Sequence, residues 1–202
     1  MNEKVWMVLR PNYVNGTLKD IGLCGAGFLI NSNTFITAYH CCNESCFVPK
    51  ENYNNNLLIL LPPGKQGLKI NINECIFCKN KDITFIKLDS NFDYIKKSKP
   101  VEGEKVYNIG YISAKIERYV NNKLEINSQD KRNGSVIEKC DNYSISAPDV
   151  SINNVKIIKL DYSCEVGFSG GPLLNNRNEV IGLMSHKDKS TGNVIAISSE
   201  EF

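Results

Sequence analysis

The sequence predicts an all-β fold in two strand-rich halves, and three observations carry that reading. Short β-branched or aromatic segments recur along the whole chain, and Asn, Gly and Asp punctuate them. No window keeps a helical apolar period over several turns, so at most a turn or two of helix is expected. Of 202 residues, 42% are hydrophobic, 9% aromatic and 23% charged, a globular composition able to bury a substantial core.

In the first half, strands are expected at Val5 to Leu9, Gly27 to Ile30, Thr34 to Ala38, Leu57 to Leu61, Leu68 to Ile72 and Ile83 to Leu88. The second half offers Lys105 to Ile109, Ile116 to Val120, Ser135 to Ile137, Val155 to Leu160, Val180 to Met184 and Val194 to Ile197. Turn residues fall between them at Asn15-Gly16, Asn31-Ser32-Asn33, Pro62-Pro63-Gly64, Asn121-Asn122, Asn133-Gly134 and Asn175-Asn176. Strands at this spacing suit a sandwich or barrels. Lys96-Lys97-Ser98-Lys99-Pro100 is polar and closed by a proline that discourages strand continuation, so it reads as a linker. The expected division is residues 1–95, a linker at 96–104, and residues 105–202.

Lys+Arg 24 against Asp+Glu 22 leaves a formal charge of +2, which gives no general pull toward nucleic acid or an acidic membrane surface. The aliphatic run Leu57 to Leu61 stops at Pro62-Pro63, far short of a membrane span. No long apolar stretch follows the charged N-terminus, so a cytoplasmic location is the expectation. The eight cysteines keep export open, because an even number also suits disulfides in a secreted protein.

The segment richest in chemistry is Gly167-Phe168-Ser169-Gly170-Gly171-Pro172. Glycines and a proline around one serine make a tight loop that can expose a hydroxyl and turn backbone N–H groups toward one point. A serine nucleophile needs both features, together with a base. The simpler alternative is a turn whose serine caps the backbone. Only two histidines exist, His40 after the Thr34 to Ala38 strand and His186 after the Val180 to Met184 strand. A carboxylate that orients an imidazole is available in Asp82, at the start of the Asp82-Ile83-Thr84-Phe85-Ile86-Lys87-Leu88 segment. Each of His40, Asp82 and Ser169 stands at the edge of a strand, with the first two in the first half.

These pieces, in this order, resemble the chymotrypsin-like serine peptidases, within them the compact trypsin-like branch that includes HtrA and V8-type glutamyl endopeptidases. The matching segments are Gly25-Ala26-Gly27-Phe28-Leu29-Ile30, Thr37-Ala38-Tyr39-His40-Cys41, the Asp82 strand and Gly167 to Leu174. Glu179 to Leu183 and Val194 to Ile197 extend the match. The resemblance implies two antiparallel β-barrels with the site between them. It implies Ser169 as nucleophile, His40 as base, Asp82 as its orienting group, and the N–H groups of Gly167 and Ser169 as the oxyanion hole. Tyr162, Ser163, Ser185 and His186 would line the substrate cleft, and the substrate would be a protein or peptide, with no cofactor. Phe168 replaces the aspartate that pairs with a newly cut N-terminus in zymogen-type members, so activation by that route is not expected.

The resemblance also allows a Cys24–Cys41 bridge, against two buried thiols in contact; a Cys140–Cys164 pair is a further option. Cys42 with Cys46 and Cys75 with Cys78 form Cys-x3-Cys and Cys-x2-Cys pairs that could hold a structural zinc. Two rival readings follow: a catalytically silent module of the same fold used for binding, and a domain whose chemistry lies in its cysteines.

Overall fold

The computed structural model describes residues 2–15, 17–43, 56–112, 116–120, 123–126, 129–147, 150–188 and 191–202. In the first half the strands are β1 (Val5–Val14), β2 (Thr17–Asn31), β3 (Thr34–Ala38), β4 (Leu57–Leu61), β5 (Leu68–Asn71), β6 (Ile76–Cys78) and β7 (Ile83–Lys87). They form one antiparallel 7-stranded sheet in the order β5-β4-β1-β2-β3-β7-β6. The second half holds β8 (Lys105–Tyr111), β9 (Ile116–Val120), β10 (Lys123–Ile126), β11 (Gln129–Ser146), β12 (Ser151–Leu160), β13 (Pro172–Asn175), β14 (Val180–Lys187) and β15 (Val194–Ser198). Here β11-β12-β15-β14-β13-β8 close into a barrel, while β9 and β10 pair as a separate ribbon. The all-β expectation and the two-barrel architecture both hold, the first barrel being a curled sheet and the second a closed one.

Among the described residues, helix is confined to α1 (Tyr39–Cys42) and a few single turns of 3-10 helix. Strand ends outrun the sequence pattern because pairing extends past the apolar stretch: β1 and β2 stay paired from Val5↔Phe28 to Val14↔Thr17, with register shifts between Val8 and Leu9 and between Asn12 and Tyr13, up to the Asn15 turn. Asn133-Gly134 is a correction, since both residues lie inside β11, opposite Tyr107 and Val106 of β8. The glycine serves packing there: a Cβ on Gly134 would run into Tyr162 and the Asp161 carboxylate. Asp161 Oδ1 also takes the Ser135 N–H at 2.6 Å. The Asn121-Asn122 turn lies outside the described residues.

One large apolar cluster joins the two halves. It gathers Val5, Met7, Phe28, Phe35 and Ile83 from the first sheet with Tyr111, Val155, Leu183 and Ile197 from the barrel. A smaller cluster, including Val106, Ile158, Leu173 and Met184, fills the barrel interior. The Lys96–Pro100 stretch joins the halves while hydrogen-bonded to β14: Val180 N donates to Lys96 O at 2.8 Å and Ser98 N to Val180 O at 2.9 Å.

Candidate active site

Antiparallel pairing of β3 with β7 sets Ala38 opposite Ile83. The residues just past that pair, Tyr39-His40 on one side and Asp82 on the other, are therefore neighbours. Asp82 adopts a left-handed backbone with φ 55°, a conformation that Asp tolerates better than most residues. From there it caps α1, whose preceding residue Ala38 offers no side-chain cap. Tyr39 N donates to Asp82 O at 3.1 Å and His40 N to Asp82 Oδ1 at 3.1 Å. A four-residue helix cannot hold itself, so this borrowed cap is what fixes His40.

The same carboxylate orients the ring. His40 Nδ1 lies 3.0 Å from both Asp82 oxygens, with the Asp82 side chain 1% exposed and that of His40 13% exposed. A carboxylate only accepts, so in the neutral ring the proton is on Nδ1 and Nε2 carries the lone pair. Burial disfavours the imidazolium, but Cys41 and Asp82 favour it more, and together they hold the His40 pKa well above 6.5. Ser185 Oγ donates to the second oxygen, Asp82 Oδ2.

Ser169 is held from both halves. Ala26 N of β2 donates to Ser169 O at 2.8 Å, and Cys41 Sγ lies 3.6 Å from the same oxygen. On the barrel side Gly170 N donates to Met184 O at 2.7 Å and Met184 N to Gly171 O at 2.9 Å. The Ser169 hydroxyl itself donates to Ser185 O at 3.3 Å. That is long for an O–H···O bond, so turning the hydroxyl toward an attacking pose costs little.

Two backbone donors beside Ser169, the N–H groups of Gly167 and Ser169, have no partner among the described residues. Their placement needs glycine at 167. Its φ is +102°, and a Cβ there would collide with the Tyr111 carbonyl oxygen. Tyr111 N in turn donates to Gly167 O at 3.2 Å, and buried Phe168 packs over Gly110. The loop is thus pinned to β8 by a hydrogen bond and an apolar side chain.

Hydrogen bonds join His40 to Asp82 and Asp82 to the Ser185 hydroxyl, and the Ser169 hydroxyl to the Ser185 carbonyl. Of the cleft expectations, Ser185 is turned to Asp82, while His186 is half-buried with Nδ1 3.0 Å from Ser185 Oγ. Tyr162 is half-buried with its hydroxyl 4.0 Å from Met184 Sδ, and Ser163 is exposed. The residues that sequence reasoning missed are Tyr111, which locks Gly167, and Tyr143, whose hydroxyl lies 3.4 Å from His186 Nε2. Neither belongs to a recognisable motif; only pairing register brings them to the site.

Cys24 and Cys41 are buried thiols rather than a bridge, their sulfurs aimed at different carbonyls, Gly22 O and Ser169 O. Cys140 and Cys164 are not joined either: Cys164 Sγ instead accepts from Asn108 Nδ2 at 3.3 Å, and burial pushes its thiol up to about 11. The four-cysteine zinc set includes Cys46, outside the described residues; among the described residues no three potential ligands gather.

The chain belongs to the trypsin family: residues 9–200 match the family model described as Trypsin. Similar solved structures are also proteases. The protease domain of MamO from Magnetospirillum magneticum, in its apo form, matches with a TM-score of 0.65 at 14% identity, covering 98% of this chain and 93% of that one. The Rv3671c protease of M. tuberculosis, in its active form, gives 0.63 at 16% identity over 98% and 77%. The HtrA-type protease AlgW with a tripeptide gives 0.66 at 14% identity, with 98% of this chain and 57% of that chain covered. At such identities the likeness is one of fold, and the chemistry has to be argued from the site.

Proposed function

We propose that this trypsin-family protein is a serine endopeptidase acting on a protein or peptide through Ser169, His40 and Asp82. The observation that carries the reading is the Asp82–His40 pair, its carboxylate buried and its imidazole half-buried, held at α1 on one side of a site whose other side is the Ser169 loop.

In this reading Ser169 Oγ attacks the scissile carbonyl carbon while His40 Nε2 takes its proton. Asp82 keeps the ring in the tautomer that leaves Nε2 free and stabilises the imidazolium that forms. The negative carbonyl oxygen is met by the N–H groups of Gly167 and Ser169, a donor of this kind being worth about 10²–10³ in kcat. Collapse of the tetrahedral intermediate breaks the C–N bond, His40 protonates the departing amine, and water repeats the cycle on the acyl-enzyme. A neutral surface overall, with a formal charge of +2, leaves selectivity to the local cleft.

The silent-module alternative has one observation on its side, the Ser169 hydroxyl resting on Ser185 O at 3.3 Å. Cleavage of a peptide library separates the two readings. The endopeptidase cuts, and S169A cuts nothing; a folded wild type that leaves the library intact is the silent module.

A further inference from the structure

His186 is the second of only two histidines, and the triad does not use it. A shift of register between Met184 and His186 in the β14–β15 pairing bulges the strand at Ser185, which lets neighbouring side chains share one side. Ser185 Oγ touches both Asp82 Oδ2 and, at 3.0 Å, His186 Nδ1. The hydroxyl has a single hydrogen and Asp82 has none to give, so that hydrogen goes to Asp82. Ser185 can then only accept from His186, which puts a proton on Nδ1. Nε2 remains as an acceptor, and the Tyr143 hydroxyl from β11 reaches it at 3.4 Å, with the two rings 6.1 Å apart.

We propose that His186 is a positioning residue for this site: by donating from Nδ1 to Ser185 Oγ it holds the Ser185 hydroxyl on Asp82, and the long Tyr143 contact to Nε2 favours the tautomer that allows this. The chain runs Tyr143 to His186 to Ser185 to Asp82, each hydroxyl or N–H donating to the next, and it ends on the carboxylate that orients His40. Chained donors strengthen one another, so the Asp82 charge is better stabilised than by Ser185 alone. The inference rests on the reading of Ser169, His40 and Asp82 as the catalytic set.

The charged surroundings of His186 agree with a neutral ring. Burial lowers its pKa below 6.5, Asp82 pulls it upward, His40 lowers it further, and Asp188 on its own segment raises it. Tyr143 is pushed up chiefly by its own burial, with Asp188 and Cys140 raising and Lys159 lowering it, so it faces His186 as a neutral donor. His186 is therefore the uncharged Nδ1–H form when His40 titrates.

The test uses untagged protein, in which the two imidazoles are the only ones to assign. Imidazole ¹⁵N spectra are expected to show His186 as the Nδ1–H tautomer with a midpoint below 6.5. H186A is expected to lower kcat about tenfold with KM within about twofold, the scale of one buried hydrogen bond lost. With fewer donors on Asp82, more of its charge acts on His40, so the His40 limb of kcat moves to higher pH. Asparagine carries an amide near the place of Nδ1, so H186N recovers part of the loss. An Nε2–H tautomer at His186 would overturn the inference even if H186A failed to fold. So would an H186A enzyme with unchanged kcat and an unmoved acid limb. A wild type whose Ser169 takes up no fluorophosphonate sinks the triad reading and this inference together. A reactive wild type matched by H186A sinks this inference alone.

Discussion

In the proposed mechanism His40 carries the pH dependence of the site, and the sign follows from its surroundings. Burial works against the imidazolium, but Cys41 and Asp82 raise the pKa well above 6.5. Only the neutral ring is a base, so kcat/KM against pH is expected to rise with a midpoint above 6.5; a limb centred below 6.5 contradicts the assigned surroundings. Stability runs the other way. A raised folded-state value means the favourable contribution of His40 is complete below about 6.5, the unfolded value, and is lost as pH rises through the folded one. Urea midpoints across that window are expected to fall while activity climbs. Asp82→Asn keeps the side-chain shape but allows the wrong imidazole tautomer, and kcat is expected to drop about 10⁴-fold. His40, Asp82 and Ser169 were legible in the sequence as candidates because each borders a strand and follows the order of a known motif. The link from Ser185 to Asp82 was not, because it depends on a bulge that no local pattern announces.

Among the elements, the loop from Gly167 to Gly171 is held by geometry that the sequence only hints at. Gly167 combines a φ of +102° with close approach to the Tyr111 carbonyl, so no other residue fits without moving one of the two backbones. Gly167→Ala is expected to lower kcat about 10²-fold or more by displacing a donor N–H, while circular dichroism still reports the β fold. Wild-type kcat in that variant would remove Gly167 from the oxyanion hole. Phe168 is 1% exposed and packs on Gly110 where the backbone leaves room. Phe168→Ala empties that space and is expected to cost about 3–5 kcal/mol in urea unfolding. Glycine was also where sequence reasoning failed: Asn133-Gly134 has turn chemistry, yet Gly134 is an inner strand position that admits Tyr162. A pattern of residue types cannot distinguish a glycine needed for its φ from one needed for its missing side chain.

For the whole molecule, the site exists only where the two halves meet. His40 and Asp82 stand at the ends of β3 and β7, Ser169 in the segment before β13, and the Ala26 N–H to Ser169 O bond of 2.8 Å ties the halves there. The large apolar cluster crosses the same boundary, so neither half buries its share of core without the other. The fold class and most strand positions were readable from alternation and turn residues. The two barrels were readable through the family resemblance; sheet order and the seating of Lys96–Pro100 on Val180 were not, because they rest on pairing between segments distant in sequence. The central claim is that Ser169 is a nucleophile activated by the Asp82–His40 pair across that boundary. Its most direct test is intact-protein and peptide mass spectrometry after fluorophosphonate treatment of wild type, S169A and H40A. The account predicts one adduct, on Ser169, absent in S169A and strongly slowed in H40A. A folded wild type without an adduct, or one labelled as fast without His40 as with it, would contradict it.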